Sequence, residues 1–255
     1  MYIINMRVFP DGRQQLRRTP KVSEVIAREL ADYIIDAELP EGAVLPNERE
    51  MLERLGVGRA TLREALRLLE SRGLIQVRPG PGGGPVVHRP RAQELSAALT
   101  LLLQFEGASL GDILRTRHAI EPVLARLAAT RISDEDLEVL DRSTQLMLEH
   151  PDDHELFLRE NQVFHLRIAR AADSVVLRIL LETLRSIADG AALGVEYSPR
   201  SIKIVAAAHN RIIEALRKGD ADAAEEAMRE HMEDTGRYWT QKYSELVTRP
   251  VRWLH

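Results

Sequence analysis

From Val22 onward, apolar residues recur at intervals of three and four. Val22, Val25, Ile26, Leu30, Tyr33 and Ile34 form one stripe, the pattern of a helix with one buried face. Pro40-Glu41-Gly42 stops it. A short second helix is predicted after Pro46, with Asn47 as N-cap and Met51, Leu52 and Leu55 turned inward. Gly56-Val57-Gly58 supplies a tight turn. A third helix over about Arg59–Ser71 buries Leu62, Ala65, Leu66 and Leu69, and ends at Arg72-Gly73, where glycine suits a C-terminus. Leu74-Ile75-Gln76-Val77-Arg78 alternates like a strand, Pro79 to Pro85 is a Gly/Pro loop, and Val86-Val87-His88 reads as the return strand. Helix, helix, turn, helix and two-stranded ribbon is the order of a winged helix-turn-helix.

A linker begins at Arg89-Pro90-Arg91, and beyond it the pattern is helical throughout. Helices are predicted near 92–105, 109–130, 134–149, 153–172, 174–194, 199–217 and 220–246, and Ser133 and Asp220 are suited to cap the helices that follow them. The expected fold is mainly α: a flexible arm over 1–20, a winged helix-turn-helix over 21–90, an all-helical bundle of six or seven helices over 91–246, and a C-terminal tail over 247–255.

Composition narrows the class. Aromatics are only 4% of the 255 residues, while alanine, leucine, arginine and glutamate abound, which favours helix over sheet. Cysteine is absent, so a disulfide framework and a thiolate metal site are both excluded and a cytoplasmic address is expected. No apolar run approaches a membrane span, and Met1 to Ile4 is too short for a signal-peptide core. The net charge of −4 does not point to nucleic acid. Residues 1–90 carry 14 basic and 12 acidic side chains, whereas residues 91–255 carry 21 and 27. Against so modest an asymmetry, the placement of the arginines carries the argument.

A helix that reads DNA docks one apolar face on its own domain and turns donors outward. The third helix does so: Arg59, Thr61, Arg63 and Arg67 surround the face opposite its leucines. Arg59 and Arg63 stack one turn apart near its N-terminus, and arginine can hold guanine O6 and N7 with two bonds. Gly58 leaves the first amides open to a phosphate, and Arg49 in the preceding helix is placed to hold backbone or base from the side. The competing reading is a solvated face in which these arginines pair with Glu48, Glu50 and Glu64. The Gly80–Pro85 run lacks the lysine of a nucleotide-binding loop and opens no helix.

Three of the eight histidines sit inside predicted helices of the second domain: His165, His209 and His231. Asn161 precedes His165 by four residues and shares its helix face. Helical bundles build metal sites from inward side chains on facing helices, and neutral imidazoles suit zinc or nickel. Spacing alone also fits three unrelated histidines that are hydrogen-bonded or on the surface. His88, His118, His150, His154 and His255 fall in the wing, near helix ends or at the C-terminus, and are read as structural or surface residues.

The segments Leu45-Pro46-Asn47-Glu48-Arg49-Glu50, Gly56-Val57-Gly58-Arg59-Ala60-Thr61-Leu62-Arg63-Glu64-Ala65-Leu66 and Leu69-Glu70-Ser71-Arg72-Gly73-Leu74-Ile75 resemble the DNA-binding domain of GntR-family regulators. The helical remainder resembles the FadR-type subfamily with its FCD effector domain, so that the likeness covers about residues 21–245. It implies operator contacts from Arg49, Arg59, Thr61 and Arg63, with wing contacts near Gly80. Gly58 and Ala60 stand where relatives often carry a hydroxyl, and the wing tip is unusually rich in glycine and proline. In the second domain the resemblance implies a divalent metal ion, zinc or nickel, on Asn161, His165, His209 and His231, with an amide where an aspartate is frequent. It further implies that Arg117 grips an effector carboxylate, although Glu121, four residues on, is an equally good partner for it. The function so implied is a homodimeric regulator, a repressor in its sign, that binds double-stranded operator DNA under control of a small organic acid. Two other classes compete with it. One is a metal-dependent hydrolase using the three histidines; the other is an architectural DNA-binding protein that needs no ligand.

Overall fold

The computed structural model describes residues 21–80, 83–188 and 194–252, in two compact units divided along the chain between Pro90 and Arg91. The proposed arm over 1–20, the wing tip at Pro81-Gly82 and His255 lie outside the described residues.

The first unit contains α1 (Val22–Asp36), α2 (Glu48–Leu55), α3 (Arg59–Ser71), β1 (Ile75–Arg78) and β2 (Gly84–Val87). Asn47 caps α2, its Oδ1 accepting from the Glu50 amide at 3.0 Å. Gly56 ends α2 at φ 64°, a left-handed turn that glycine makes without strain and that brings the chain into α3. The core joins Ile26, Leu30 and Ile34 of α1 to Leu62, Ala65, Leu66 and Leu69 of α3, with Met51, Ile75 and Val87. Val22 and Tyr33 are 60% and 49% exposed, contrary to the stripe read from the sequence. They stand at the margin of the buried arc, whose inner positions are taken by Ser23 and Ala27. β1 and β2 pair antiparallel, with Ile75 opposite Val87 and Arg78 opposite Gly84. The segment before α2 adds a further edge that the pattern did not reveal. The Leu45 amide donates to Pro85 O and the Val87 amide to Ala43 O, at 2.9 and 2.8 Å.

The second unit is helical: α4 (Ala92–Phe105), α5 (Leu110–Ala129), α6 (Asp134–Glu149), α7 (His154–Ala171), α8 (Val175–Ile187), α9 (Pro199–Arg217), α10 (Ala221–Lys242) and α11 (Ser244–Thr248). Its main core packs Leu124 and Ala128 of α5 against Leu140, Phe164, Ile168, Leu181, Ile212, Met228 and Met232. Ser133 and Asp220 cap α6 and α10, accepting from the amides of Asp136 and Ala223. Among the described residues there are eight helices in this unit, not six or seven, and two bounds differ from those predicted. α8 ends at Ile187 rather than near 194, and the helix predicted over 220–246 breaks at Tyr243. That break is a tertiary effect. The Tyr238 and Tyr243 hydroxyls and Lys242 Nζ all donate to Glu196 O, and Leu246 turns into a core with Leu110, Ile113 and Trp239. The segment read as a tail is anchored too: the Val251 amide donates to Ala108 O at 2.8 Å, and Val251 is buried. Among the described residues no helix is long and apolar enough to cross a membrane.

Candidate metal centre and DNA-reading helix

The bundle brings its three helix histidines together. His165 comes from α7, His209 from α9 and His231 from α10, and all three are buried. One nitrogen from each lies within 4.8 Å of the other two. His165 Nε2 and His231 Nε2 are 3.4 Å apart. The His209 ring stacks on Phe164, with centroids 3.6 Å apart and planes 4° from parallel. Both of its nitrogens are buried with no hydrogen-bond partner among the described residues. A buried polar atom left unpaired costs about 1–3 kcal/mol, so these ring nitrogens are in want of a partner that the described residues do not supply.

Burial of the cluster favours neutral imidazoles. Burial pushes the pKa of His209 well below its ordinary value, helped by His231 and His165. Burial likewise takes His231 down to about 3 and lowers His165. Neutral rings have the lone pairs a cation needs.

Glu121 of α5 completes the arrangement. One of its carboxylate oxygens accepts from Arg117 Nε at 2.7 Å, while the other lies against His165 Nδ1. Burial alone would raise the Glu121 pKa, but Arg117, His165 and Arg185 outweigh it and keep the group ionised. Set against an ionised carboxylate, Nδ1 is the nitrogen suited to carry the His165 proton, which leaves the Nε2 lone pair on the side of the cluster. A carboxylate behind the far nitrogen is the usual support of a metal-binding histidine. The residues present therefore fit a divalent ion. In the sequence Glu121 stands out only as a partner for Arg117. Its spacing from Arg117 signalled the ion pair, but nothing in the sequence joined it to His165, 44 residues away.

Asn161 stands one turn before His165 on α7 and is half-buried. Arg117 is buried, with its Nε committed to Glu121. Of the remaining histidines, His88 Nδ1 lies 3.0 Å from Gly73 O, while His150 and His154 stand at the C-cap of α6 and the start of α7.

In the first unit, α3 buries Leu62, Ala65, Leu66 and Leu69 and leaves Arg59, Arg63 and Arg67 exposed. Thr61 is half-buried and Arg49, in the first turn of α2, is exposed. Arg59 has no ion-pair partner among the described residues, whereas Arg63 pairs with Glu48 across the turn, Nε to Oε1 at 3.1 Å. Gly58 is the N-cap of α3 and offers no side-chain cap, so the first amides of the helix stay open. Gly80, at the edge of the wing tip, is exposed with φ 100°.

Comparison with known proteins decides the family. Residues 22–83 match the model of the bacterial regulatory proteins of the gntR family, and residues 112–234 match the FCD domain. The HTH-type transcriptional repressor NanR of Cronobacter sakazakii is 32% identical over 239 residues, which cover 89% of this chain and 88% of that one. The chain belongs to the GntR family.

It is therefore a transcriptional regulator with an N-terminal DNA-binding domain and a C-terminal FCD effector domain. The solved structure of a Streptococcus agalactiae GntR protein superposes with a TM-score of 0.63 at 30% identity, covering 84% of this chain and 99% of that one. An uncharacterised HTH-type transcriptional regulator of Mycobacterium tuberculosis is 35% identical over 171 residues, 67% of this chain and 64% of that protein. For a GntR-family chain the exposed arginines of α3 are part of a DNA-binding domain, and the three-histidine cluster lies in the domain that takes the effector.

Proposed function

We propose that this protein is a homodimeric repressor whose hold on operator DNA is set by a small organic acid bound beside a divalent metal ion. His165, His209 and His231 would hold the ion, zinc or nickel, with the Asn161 amide oxygen as a fourth and weaker donor. The ion supplies a positive charge to which a carboxylate can bind directly. The observation that carries this reading is His209: a buried imidazole whose two nitrogens have no partner among the described residues, facing two other histidines of which one is backed by Glu121. Arg117 stands next to this cluster. With Nε held by Glu121, its outer nitrogens are the part of the guanidinium left to meet an effector carboxylate.

DNA contacts are assigned to Arg49, Arg59, Thr61 and Arg63, with Gly80 and the wing along the minor groove. Two copies of α3 address the two halves of a pseudo-palindrome, which is why a dimer is the working state. The NanR relatives carry the name of repressors, and the same sign is assigned here. The chain would act in the cytoplasm, where its DNA lies. No catalysis is assigned to the histidine cluster, because Glu121, the carboxylate beside it, has one oxygen on Arg117 and the other on His165 and is not free to serve as a base.

The test is a thermal-shift screen of small organic acids against metal-loaded and chelator-stripped protein. A ligand that binds the folded state raises its melting temperature. Each hit is then titrated into the protein bound to a duplex selected from a random pool. The reading expects acids that stabilise only the loaded protein and change its DNA affinity by on the order of 1–3 kcal/mol. Hits that ignore the metal, or that leave DNA affinity unchanged, overturn it.

A further inference from the structure

Arg63 is an exposed arginine on the reading face of α3, yet it is held by an acid. Glu48, the first residue of α2, meets it with both oxygens: Nε to Oε1 at 3.1 Å and Nη2 to Oε2 at 3.4 Å. The two side chains are 61% and 39% exposed. An exposed pair of this kind contributes about 0–1 kcal/mol to stability, so stability is a poor account of it. In a surface meant for phosphates, a carboxylate also repels the partner. Arg59, one turn earlier, has no such acid among the described residues.

We infer that Glu48 is a positioning residue for DNA reading, which fixes Arg63 as an end-on reader of guanine. A guanidinium has five N–H donors in a fixed plane. The contact with Glu48 uses its side-on edge, Nε and one hydrogen of Nη2. What remains in front is the end-on fork of Nη1 and the second Nη2 hydrogen, the geometry that spans guanine O6 and N7. Held this way, the side-on edge of Arg63 is drawn away from neighbouring phosphates, and its charge is partly neutralised. Both effects weaken attraction to the backbone, which is shared by every sequence, and preserve the contact that distinguishes sequences.

This inference rests on α3 being the reading helix, and one experiment separates the two. The full-length chain is used to select a duplex from a random-sequence pool, and affinities are measured for the selected duplex and for the unselected pool at one salt concentration. Glu48→Gln should lower the ratio of selected to random affinity by up to about fivefold, the most that an exposed pair of this strength can impose, while affinity for the random pool stays level or rises. In an Arg63→Ala background the same substitution should leave the ratio unchanged, because its effect runs through Arg63. An undiminished ratio in Glu48→Gln, or an equal loss in both backgrounds, overturns the role of Glu48. Should Arg59→Ala and Arg63→Ala both keep the parent ratio, the reading-helix assignment itself fails. Melting temperatures of the variants, expected to match the parent, exclude misfolding as the cause.

Discussion

Glu121 lies against Nδ1 of His165, joining α5 to α7 at the centre of the helical domain. With Nδ1 turned to the carboxylate, Nε2 faces His231, and the tautomer with its proton on Nδ1 is favoured. Because Arg117 holds the second oxygen of Glu121, the charge that orients the histidine is itself fixed.

Breaking that chain of contacts should be costly. Glu121→Ala leaves the Arg117 guanidinium buried without its acid, a change that typically costs about 3–5 kcal/mol. Urea unfolding should show a loss of this size. Glu121→Gln keeps the shape and one acceptor and should be milder. Either variant should bind metal about 10–100-fold more weakly, as loss of a supporting carboxylate usually does, which competition with a chromophoric chelator can measure.

Replacing His209 and His231 together with alanine should abolish metal binding. Elemental analysis of purified parent and variant gives the answer directly, and equal metal in both would remove the site. Stripping the parent with a chelator should lower its melting temperature, and restoring zinc or nickel should raise it again, since an ion that binds only the folded chain stabilises it by mass action. The double variant should not respond to either treatment.

Arg59→Ala and Arg63→Ala should each cost roughly 1–3 kcal/mol of binding to a selected duplex and leave the fold intact. Both side chains are exposed and neither contributes to the core of the first unit. Fluorescence anisotropy with a labelled duplex, alongside circular dichroism, would test this. Full affinity in both variants would sink the assignment.

The start of α5 carries a pH dependence. Ser109 donates to the Asp112 carboxylate from its amide and its hydroxyl, at 2.8 and 2.7 Å, and Arg115 pairs with it. These contacts, the backbone amide first, lower the Asp112 pKa to about 2 from an ordinary 3.8. The folded state thus favours the ionised form. Its contribution is complete above the unfolded value and is lost as pH falls from there towards the folded one. The stability difference between parent and Asp112→Asn should be constant above about pH 5, where the unfolded carboxyl is already ionised, and should narrow steadily below pH 4. A difference that does not change with pH would exclude the cap as its source.

The first domain was legible in the sequence because its determinants are local. The inward face of α3 follows from Leu62, Ala65, Leu66 and Leu69 at helical spacing, and Asn47 and Gly56 mark the ends of α2 by their own side-chain and backbone preferences. The same local rules placed Ser133 and Asp220 at their caps. They failed where distant parts of the chain decide the outcome. The break at Tyr243 depends on Glu196 O, and the added edge at Ala43 and Leu45 depends on β2.

The histidine cluster divides along the same line. Periodicity put His165, His209 and His231 on separate helices and could go no further, because spacing along a chain does not specify which helix faces meet. Packing of α5, α7, α9 and α10 around one core decided that the three rings converge, that Phe164 covers His209, and that Glu121 rather than a nearer residue stands behind His165. Helix and cap are settled within a few residues by backbone geometry and side-chain reach. A buried polar site is settled only when several helices exclude water from the same place.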